Sequence, residues 1–242
     1  MKAVLAIALA LTGAAHAQES AKPAALTVEQ IMDKSVEALG GRAALEKITS
    51  TVMKSSIDVT FAGITATSIT YAKAPDKRAS VITVEGYGEI KEGCDGSIAW
   101  NDTPEGGLQE FSGERLLQSK RQAIFQPELK WREIYPNAEV KGKETLNGRE
   151  AWVLTLVPKS GKPVTEYIDA ETFLPVKTVM SVISDQGEYD ATTEMSDFRD
   201  VQGVKFPFSI RQSTPMGDLI VKVTEVNHNV PIEDAVFAKP SK

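Results

Sequence analysis

Several long stretches of the chain alternate between apolar and polar residues at successive positions. The alternation is clearest over residues 53–61 and returns over residues 188–195 and 204–211. A period of two is typical of a strand with one buried and one solvated face. Turn sequences divide these runs at short intervals, and Asn147-Gly148 is the strongest hairpin signal among them. The pattern predicts about ten strands joined as an antiparallel meander.

A helical pair is predicted to precede the strands. The first helix begins at Thr27, which is placed to form a capping box with Gln30, and it ends at the pair Gly40-Gly41. Its apolar residues fall on one stripe, formed by Val28, Ile31, Met32, Val36 and Leu39. A second, short helix is expected over residues 42–47, with its apolar side chains directed toward the same core.

One further helix interrupts the run of strands. It opens near residues 112–114 and is stopped by Pro127. A sheet of about ten strands must curl or close, and helices then cover its concave face. The predicted fold class is therefore mainly β: a large, curved antiparallel sheet or half-open β-barrel, covered by the N-terminal helical pair and one inserted helix. Residues 27–242 are expected to form a single domain after a flexible lead-in at 18–26.

The start of the chain predicts export. Lys2 is followed by an apolar run over residues 3–11 and by the small-x-small sequence at 15–17. This is the three-part pattern of a secretory signal peptide, with cleavage expected after Ala17. The other interpretation, a membrane anchor, requires roughly 20 apolar residues, and this run is much shorter. We expect residues 1–17 to be removed and the mature protein to reside in the periplasm, without a transmembrane segment.

Composition excludes several classes of function. The net charge is −6 and there is no block of basic residues, which disfavours nucleic acid as a partner. Cys94 is the single cysteine, and its favoured interpretation is a small buried filler without an activating neighbour. Once the leader is removed, His228 is the one remaining histidine. Sites built from several histidine or cysteine ligands are therefore excluded, and no cofactor is expected.

No motif for catalysis is found. The sequence has no G-x-S-x-G elbow, P-loop or H-E-x-x-H motif. His228 could serve as a lone base, but a histidine at a strand end is the simpler interpretation. Glu188, Asp190 and Glu194 alternate along one strand face, which any solvated sheet face shows. We therefore predict that the chain is not an enzyme. A hydrolase remains the third hypothesis and would require a pair of buried carboxylates in a cleft.

Aromatic and large apolar residues are concentrated in the middle third of the chain, around the inserted helix. They are Phe111, Phe125, Ile134, Tyr135, Trp100, Trp131 and Trp152. Such residues form either a packed core or the wall of an apolar cavity enclosed by the curved sheet. Periodicity does not distinguish the two, so both remain open at this point.

The order of several short segments resembles the bacterial outer-membrane lipoprotein-sorting, or LolA/LolB-like, proteins, and more closely a divergent exported group with that fold. The segments that carry the resemblance lie at 39–45 (LGGRAAL), 95–100 (DGSIAW), 129–136 (LKWREIYP), 146–152 (LNGREAW), 169–175 (DAETFLP), 196–199 (SDFR) and 203–207 (GVKFP). They run through most of the mature chain. The resemblance implies a half-open barrel with helices over its mouth and an apolar interior that holds acyl chains.

By analogy, a lid and cavity walls can be assigned to residues of the middle third. The lid candidates are Leu116, Leu117, Ile124 and Phe125, and the wall candidates are Trp100, Trp131 and Trp152. The expected function is a periplasmic carrier or sensor for a lipid, a lipoprotein acyl chain or another hydrophobic ligand. The alternative is a non-enzymatic domain that docks other cell-envelope proteins and has no ligand cavity.

Overall fold

A computed structural model describes residues 26–184 and 187–241. The predicted signal peptide and all but the last residue of the lead-in lie outside these ranges. The helices are α1 (Val28–Ala38), α2 (Arg42–Leu45), α3 (Gly113–Ala123) and α4 (Trp131–Ile134), with short 3-10 turns at Pro127–Leu129 and Asp234–Val236. The strands are β1 (Ser50–Val59), β2 (Ile64–Lys73), β3 (Lys77–Val84), β4 (Gly88–Cys94), β5 (Ala99–Thr103), β6 (Gly107–Glu110), β7 (Asn137–Leu146), β8 (Arg149–Val157), β9 (Val164–Asp169), β10 (Pro175–Ser184), β11 (Gly187–Val201), β12 (Val204–Thr214) and β13 (Gly217–His228).

All described strands belong to one antiparallel sheet of 13 strands, in the order β6-β5-β4-β3-β2-β1-β13-β12-β11-β10-β9-β8-β7. The mainly β class is confirmed, and the sheet is open, with β6 and β7 at its edges. The predicted number of about ten strands is too low. β6 has only four residues, too few for alternation to be read, and every residue of β10 is half-buried, so its sequence shows no contrast between two faces.

The position of α3 requires the sheet to be strongly curved. This helix contacts β4 and β5 near one edge of the sheet and also β10 in the other half. Seven strand spacings separate β4 from β10, which would be about 34 Å in a flat sheet. An 11-residue helix is about 16 Å long. The helix can touch both regions only because the sheet bends around it, with α3 on the concave side.

The N-terminal helix forms as its sequence predicts. Thr27 and Gln30 make the expected capping box: the Gln30 amide donates to the Thr27 hydroxyl, and the Thr27 amide donates to the Gln30 side chain. The apolar stripe is buried against the sheet. The core that it forms contains Val28, Ile31, Met32, Trp131, Leu154, Leu156, Val164 and Ile168. This cluster fills one half of the concave face, under α1 and α4.

The end of α1 is fixed by a close backbone contact with the β11–β12 turn. Gly40 has a φ of +129°, and a Cβ atom there would lie 2.3 Å from the Gly203 carbonyl oxygen. The Lys205 amide donates to the Leu39 carbonyl at 2.8 Å. Only glycine satisfies both the positive φ and this distance. The predicted Gly40-Gly41 helix end is thus also the point at which the helical pair is anchored to the sheet.

The inserted segment is more elaborate than the single predicted helix. After α3 the chain passes through Gln126, which has a left-handed φ of 51°, into the 3-10 turn and α4. Gln118 ties α3 to the sheet, since its amide nitrogen donates to the Ser181 carbonyl at 2.6 Å and its oxygen accepts from the Ile183 amide at 3.0 Å. Both bonds join a buried side chain to β10. The segment is therefore held over the concave face by specific contacts.

Candidate ligand-binding cavity

A cavity of about 380 Å³ opens between the concave face of the sheet and the helical segments that cover it. Its floor comes from β1, β2, β3, β10, β11, β12 and β13, and its roof from the end of α3 and the turn that follows. The apolar residues of its wall are Leu39, Leu45, Ile48, Met53, Ala72, Ala123, Ile124, Phe125, Pro127, Pro175, Met195, Phe198, Val204, Phe206 and Pro207. The volume and the apolar lining are typical of sites for small hydrophobic molecules.

Backbone contacts at the end of α3 hold the roof in place. The Phe125 amide donates to the Pro75 carbonyl at 3.0 Å. The Gln126 side chain donates to the Leu45 carbonyl at 2.5 Å. These two bonds join the roof to the β2–β3 turn and to α2. The Phe125 ring then packs into a second buried cluster, which contains Val36, Leu39, Leu45, Ile48 and Val204.

One buried histidine interrupts the apolar wall. His228 is 7% exposed, and its Nδ1 atom lies 2.9 Å from the Thr51 hydroxyl. Its ring makes an edge-to-face contact with Phe206, at 6.4 Å between ring centroids. Within the described part of the chain, Nε2 is buried without a hydrogen-bond partner. Burial lowers the pKa of His228 below its usual range, so the imidazole is neutral at neutral pH.

Three further charged residues border the cavity. Arg78 and Lys205 line it and are exposed, and neither forms an ion pair within residues 26–184 and 187–241. Glu128 also lines it, and desolvation raises the pKa of its carboxyl group. The rim of the cavity therefore carries two unpaired cations and a carboxyl group whose ionisation is disfavoured.

Glu128 belongs to a cluster of acidic groups beneath the roof. Glu166 on β9 lies between the buried residues Val164 and Ile168 of the concave face. Desolvation, followed by the charge of Glu128, raises the pKa of Glu166 to about 7. Desolvation, followed by the charge of Glu166, raises the pKa of Tyr135 to about 12. The Glu128 side chain lines the cavity, whereas Glu166 is not part of its wall.

The four predicted lid residues separate into two pairs. Ile124 and Phe125 lie at the end of α3 and line the cavity. Leu116 packs against a small cluster formed by Cys94, Ala99 and Ala123, and Leu117 is 48% exposed. Leu117 borders a separate surface recess of about 400 Å³ together with Ile124. The structure thus brings only the second pair to the main cavity, and a ligand-contact role for all four stays a prediction.

The three tryptophans lie outside the wall of the main cavity, two of them at one core and the third elsewhere. Trp131 is buried in the α1 core, and Trp152 packs against the same core with an indole nitrogen that has no partner within the described residues. Trp100 is buried, and its indole nitrogen donates to the Phe237 carbonyl at 3.1 Å. Of the two interpretations that the sequence left open, a packed core describes Trp131 and Trp100 in this structure. Ligand contact by the tryptophans stays a prediction.

Sequence reasoning missed most of the cavity wall, including all of its polar residues. His228 was considered only as a lone base or a strand-end residue, and Thr51, Arg78 and Glu128 were not singled out. Thr51 and His228 are 177 positions apart and meet because β1 pairs with β13. Alternation along β13 does not mark His228 either, because a register shift between Lys54 and Ser55 is needed to bring Val221 and Val223 to the face of Val226 and His228. No local signal marks Arg78.

The carboxylates that were considered for catalysis lie on β11, where Glu188 and Asp190 are exposed and Glu194 is half-buried. Glu188 pairs with Lys162 at 2.8 Å, and farther along the same strand Asp197, which was not singled out from the sequence, pairs with Arg199 at 2.7 Å. These bonds, first among the causes, lower the pKa of both carboxyl groups. This arrangement matches the interpretation of a solvated sheet face. The Cys94 thiol is buried, and burial raises its pKa, in agreement with its interpretation as a filler.

No group of three or more His, Cys, Asp or Glu side chains in residues 26–184 and 187–241 is placed to hold a metal ion. No helix in those ranges combines the length and the apolar character that crossing a bilayer requires.

Comparison with known proteins identifies the fold. No protein-family model matches the chain, and no curated protein sequence matches it. Several solved structures are similar to the chain. A LolA superfamily protein from Nitrosomonas europaea is similar with a TM-score of 0.60 and 15% identity, over 89% of this chain and 99% of that one. A DUF1329 family protein from Desulfovibrio piger gives a TM-score of 0.59 and 14% identity, over 87% of this chain and 97% of that one.

A third solved structure is described as an outer membrane lipoprotein-sorting protein domain, from Vibrio parahaemolyticus. It gives a TM-score of 0.54 and 12% identity, over 86% of this chain and 97% of that one. At these identities the similarity concerns the fold. The resemblance expected from the sequence is confirmed at that level: the chain has the fold of LolA-like proteins, in a form that diverges widely in sequence.

Proposed function

We propose that the protein is an exported, periplasmic carrier or sensor for a lipid, a lipoprotein acyl chain or another hydrophobic ligand. The observation that carries the proposal is the cavity of about 380 Å³, with its apolar wall and its hydrogen-bonded helical roof. Pockets for small hydrophobic molecules have volumes of roughly 300–1,000 Å³ and a mostly apolar lining. The cavity lies within that range. Export rests on the expected signal peptide at residues 1–17.

The energetics of burial favour an acyl chain as the ligand. Each methylene group that moves from water to an apolar wall contributes about 0.8 kcal/mol. Eight methylenes would therefore contribute about 6 kcal/mol before the entropy cost of association. A lipoprotein-sorting domain has the same fold, which supports this choice of ligand class. The ligand would enter from the open side of the sheet, beneath the end of α3.

A hydrolase is the less favoured hypothesis, although a pair of acidic groups does exist. Glu128 and Glu166 are close enough for the charge of one to raise the pKa of the other. An acid–base pair must, however, present both carboxyl groups to the scissile bond. Only Glu128 lines the cavity. We therefore propose a structural role beneath the roof for Glu128 and Glu166, and no catalytic step.

The alternative, a docking domain of the cell envelope, has one observation in its favour. Phe61, Ile64 and Met216 are 50%, 42% and 54% exposed. Phe61 and Met216 lie in neighbouring turns, since the Thr60 amide donates to the Asp218 carbonyl. Apolar side chains exposed together at the end of a sheet are typical of a contact surface. A protein that never takes up an apolar ligand would leave this alternative as the better account.

Mass spectrometry of the gently purified protein tests the proposal. The native mass is measured before and after extraction with organic solvent, and the extract is analysed for lipids. We expect a stoichiometric adduct that extraction removes and that returns when the protein is incubated with a lipid extract. A mass that equals the bare polypeptide and stays unchanged after exposure to lipid extracts and lipopeptides would contradict the carrier function.

A further inference from the structure

Four residues of the cavity wall form one row across four adjacent strands. Thr51 on β1 lies opposite His228 on β13 and opposite Ala72 on β2, and Ala72 lies opposite Arg78 on β3. Directly opposed residues project from the same face of a sheet, and all four line the cavity. The strand spacing places the backbones of His228 and Arg78 about 14 Å apart. Ala72, between Thr51 and Arg78, lines the cavity and also packs against the apolar cluster that contains Leu45 and Phe125.

His228 supplies this row with an unused hydrogen-bonding group. Its Nδ1 atom is occupied by the Thr51 hydroxyl at 2.9 Å, whereas Nε2 is buried and has no partner within the described ranges. When the hydroxyl donates to Nδ1, the ring proton is on Nε2, which can then donate to an acceptor in the cavity. An unsatisfied buried N–H group is unfavourable, and a bound acceptor would remove that cost.

Positive charge is concentrated around the same space. Arg78 and Lys205 border the cavity, and neither forms an ion pair in the part of the chain that the structure describes. The whole chain has a net charge of −6, so an unpaired positive charge here differs in sign from the chain as a whole. Of the two cations, Arg78 projects from the face of the row, whereas Lys205 lies between the cavity-facing residues Val204 and Phe206 and projects from the other face. Among the described residues of the wall, Glu128 is the one acidic residue. The charge distribution is therefore complementary to an anion.

We propose that the row of His228, Thr51 and Arg78 binds the anionic oxygen headgroup, a carboxylate or a phosphate, of a ligand whose acyl chain occupies the apolar part of the cavity. The inference rests on the proposed carrier function and names the class of lipid carried. The imidazole N–H and the guanidinium group donate to the headgroup oxygens, and charge-assisted hydrogen bonds of this kind are the strong ones. Met53 lies two positions after Thr51 on the same face of β1 and is the first residue of the apolar surface that would contact the acyl chain.

Calorimetric titration of the full chain with three amphiphiles of equal chain length tests the assignment. The probes are dodecanoate, dodecyl phosphate and dodecanol. We expect at least one of the two anions to bind about tenfold more tightly than dodecanol. The Arg78→Gln variant should bind that anion about tenfold more weakly, and its affinity for dodecanol should change by less than about twofold. Arg42→Gln is the matched control, because Arg42 is exposed on α2 outside the cavity wall and should leave both affinities unchanged.

Nitrogen NMR of the histidine side chains gives a second readout that needs no disruptive variant. The chain has two histidines, and a His228→Phe variant identifies the His228 signals as those that disappear. Binding of the preferred anion should change the chemical shift of the His228 Nε2 atom, because its N–H group then donates to the anion. The Nδ1 atom should remain the acceptor of the Thr51 hydroxyl. A His228 ring whose two nitrogen signals do not respond to a bound anion would contradict the assignment.

The outcomes separate this inference from the carrier function. Equal binding of dodecanol and both anions, unaffected by Arg78→Gln, would overturn the headgroup site and leave the carrier function standing. Failure of all three amphiphiles to bind would overturn both. Inorganic phosphate or acetate that binds as tightly as the amphiphiles would show a site for a free ion and overturn the assignment to a lipid.

Discussion

The acidic cluster beneath the roof makes folding stability depend on pH in a direction opposite to that of most acidic residues. Glu166 faces the concave side between Leu154 on β8 and Thr178 on β10, its neighbours across the strands. Desolvation and then the charge of Glu128 raise its pKa from 4.5 to about 7. Between these two values the folded protein keeps a proton that the unfolded chain has released. Stability therefore falls as pH rises through this window.

The size of the effect follows from the shift in pKa. A difference of one unit corresponds to about 1.4 kcal/mol, so a rise from 4.5 to about 7 gives an upper limit of about 3 kcal/mol. The loss begins near pH 4.5 and is complete above about pH 7, where both states are ionised. Replacement of Glu166 by glutamine removes the titrating group and keeps its shape. The variant should therefore gain stability relative to the wild type as pH rises.

Urea unfolding at pH 5 and pH 8 measures this difference. We expect the free energy of unfolding of Glu166→Gln, relative to the wild type, to be more favourable at pH 8 than at pH 5 by up to about 3 kcal/mol. Glu105→Gln, at an exposed turn position, is the matched control and should show no such difference. If Glu166→Gln and Glu105→Gln gave the same pH dependence within about 0.5 kcal/mol, the reasoning from desolvation would be refuted.

Three further predictions concern other parts of the structure. Burial of Asp169 opposes its ionisation, but hydrogen bonds from Thr172 and Arg149 outweigh this effect and lower its pKa. Asp169→Asn should therefore reduce the free energy of unfolding, measured with urea at pH 7, by about 2–4 kcal/mol. A reduction below about 0.5 kcal/mol would contradict this expectation. Gly40→Ala should lower the free energy of unfolding by more than Gly148→Ala does. Both glycines have a positive φ, but of the two only Gly40 is packed against backbone atoms. Equal decreases in the free energy of unfolding would contradict the close contact at Gly40. The pKa of His228, measured by NMR, should lie below its ordinary value of 6.5 because burial disfavours the charged ring. As pH falls below 6.5 the unfolded chain takes up a proton before the folded protein does, so the stability of the folded protein decreases. A pKa above 6.5 would contradict the burial of His228.

Local patterns were sufficient to predict several elements of the fold. The capping box at Thr27 and the hairpin at Asn147-Gly148 depend on neighbouring residues, and both form as expected. The positive φ values of Asn147 and Gly148, 50° and 81°, are those that such a turn requires. Strands with one solvated face were likewise visible as alternation. β10 was not, because residues on both of its faces are half-buried and its sequence carries no contrast.

The candidate site was predicted only where one segment of the chain supplies it. Ile124 and Phe125 follow from the end of an amphipathic helix, and both line the cavity. The meeting of Thr51 with His228 depends on the pairing of β1 with β13, which joins the two ends of the strand sequence. No local pattern encodes that register. The unpaired state of Nε2 likewise depends on packing from several strands, which the sequence does not reveal.

Two substitutions on opposite faces of β2 test the carrier function most directly. Thr70 lines the cavity, whereas Thr67, three positions earlier on the same strand, is exposed on the other face. Uptake of the lipophilic dye phenylnaphthylamine is measured by fluorescence for the wild type, Thr70→Phe and Thr67→Phe. We predict that the wild type and Thr67→Phe take up the dye and that Thr70→Phe, which fills the cavity, loses most of this binding. Absence of uptake by the wild type, or equal uptake by all three proteins, would contradict a ligand cavity at this position.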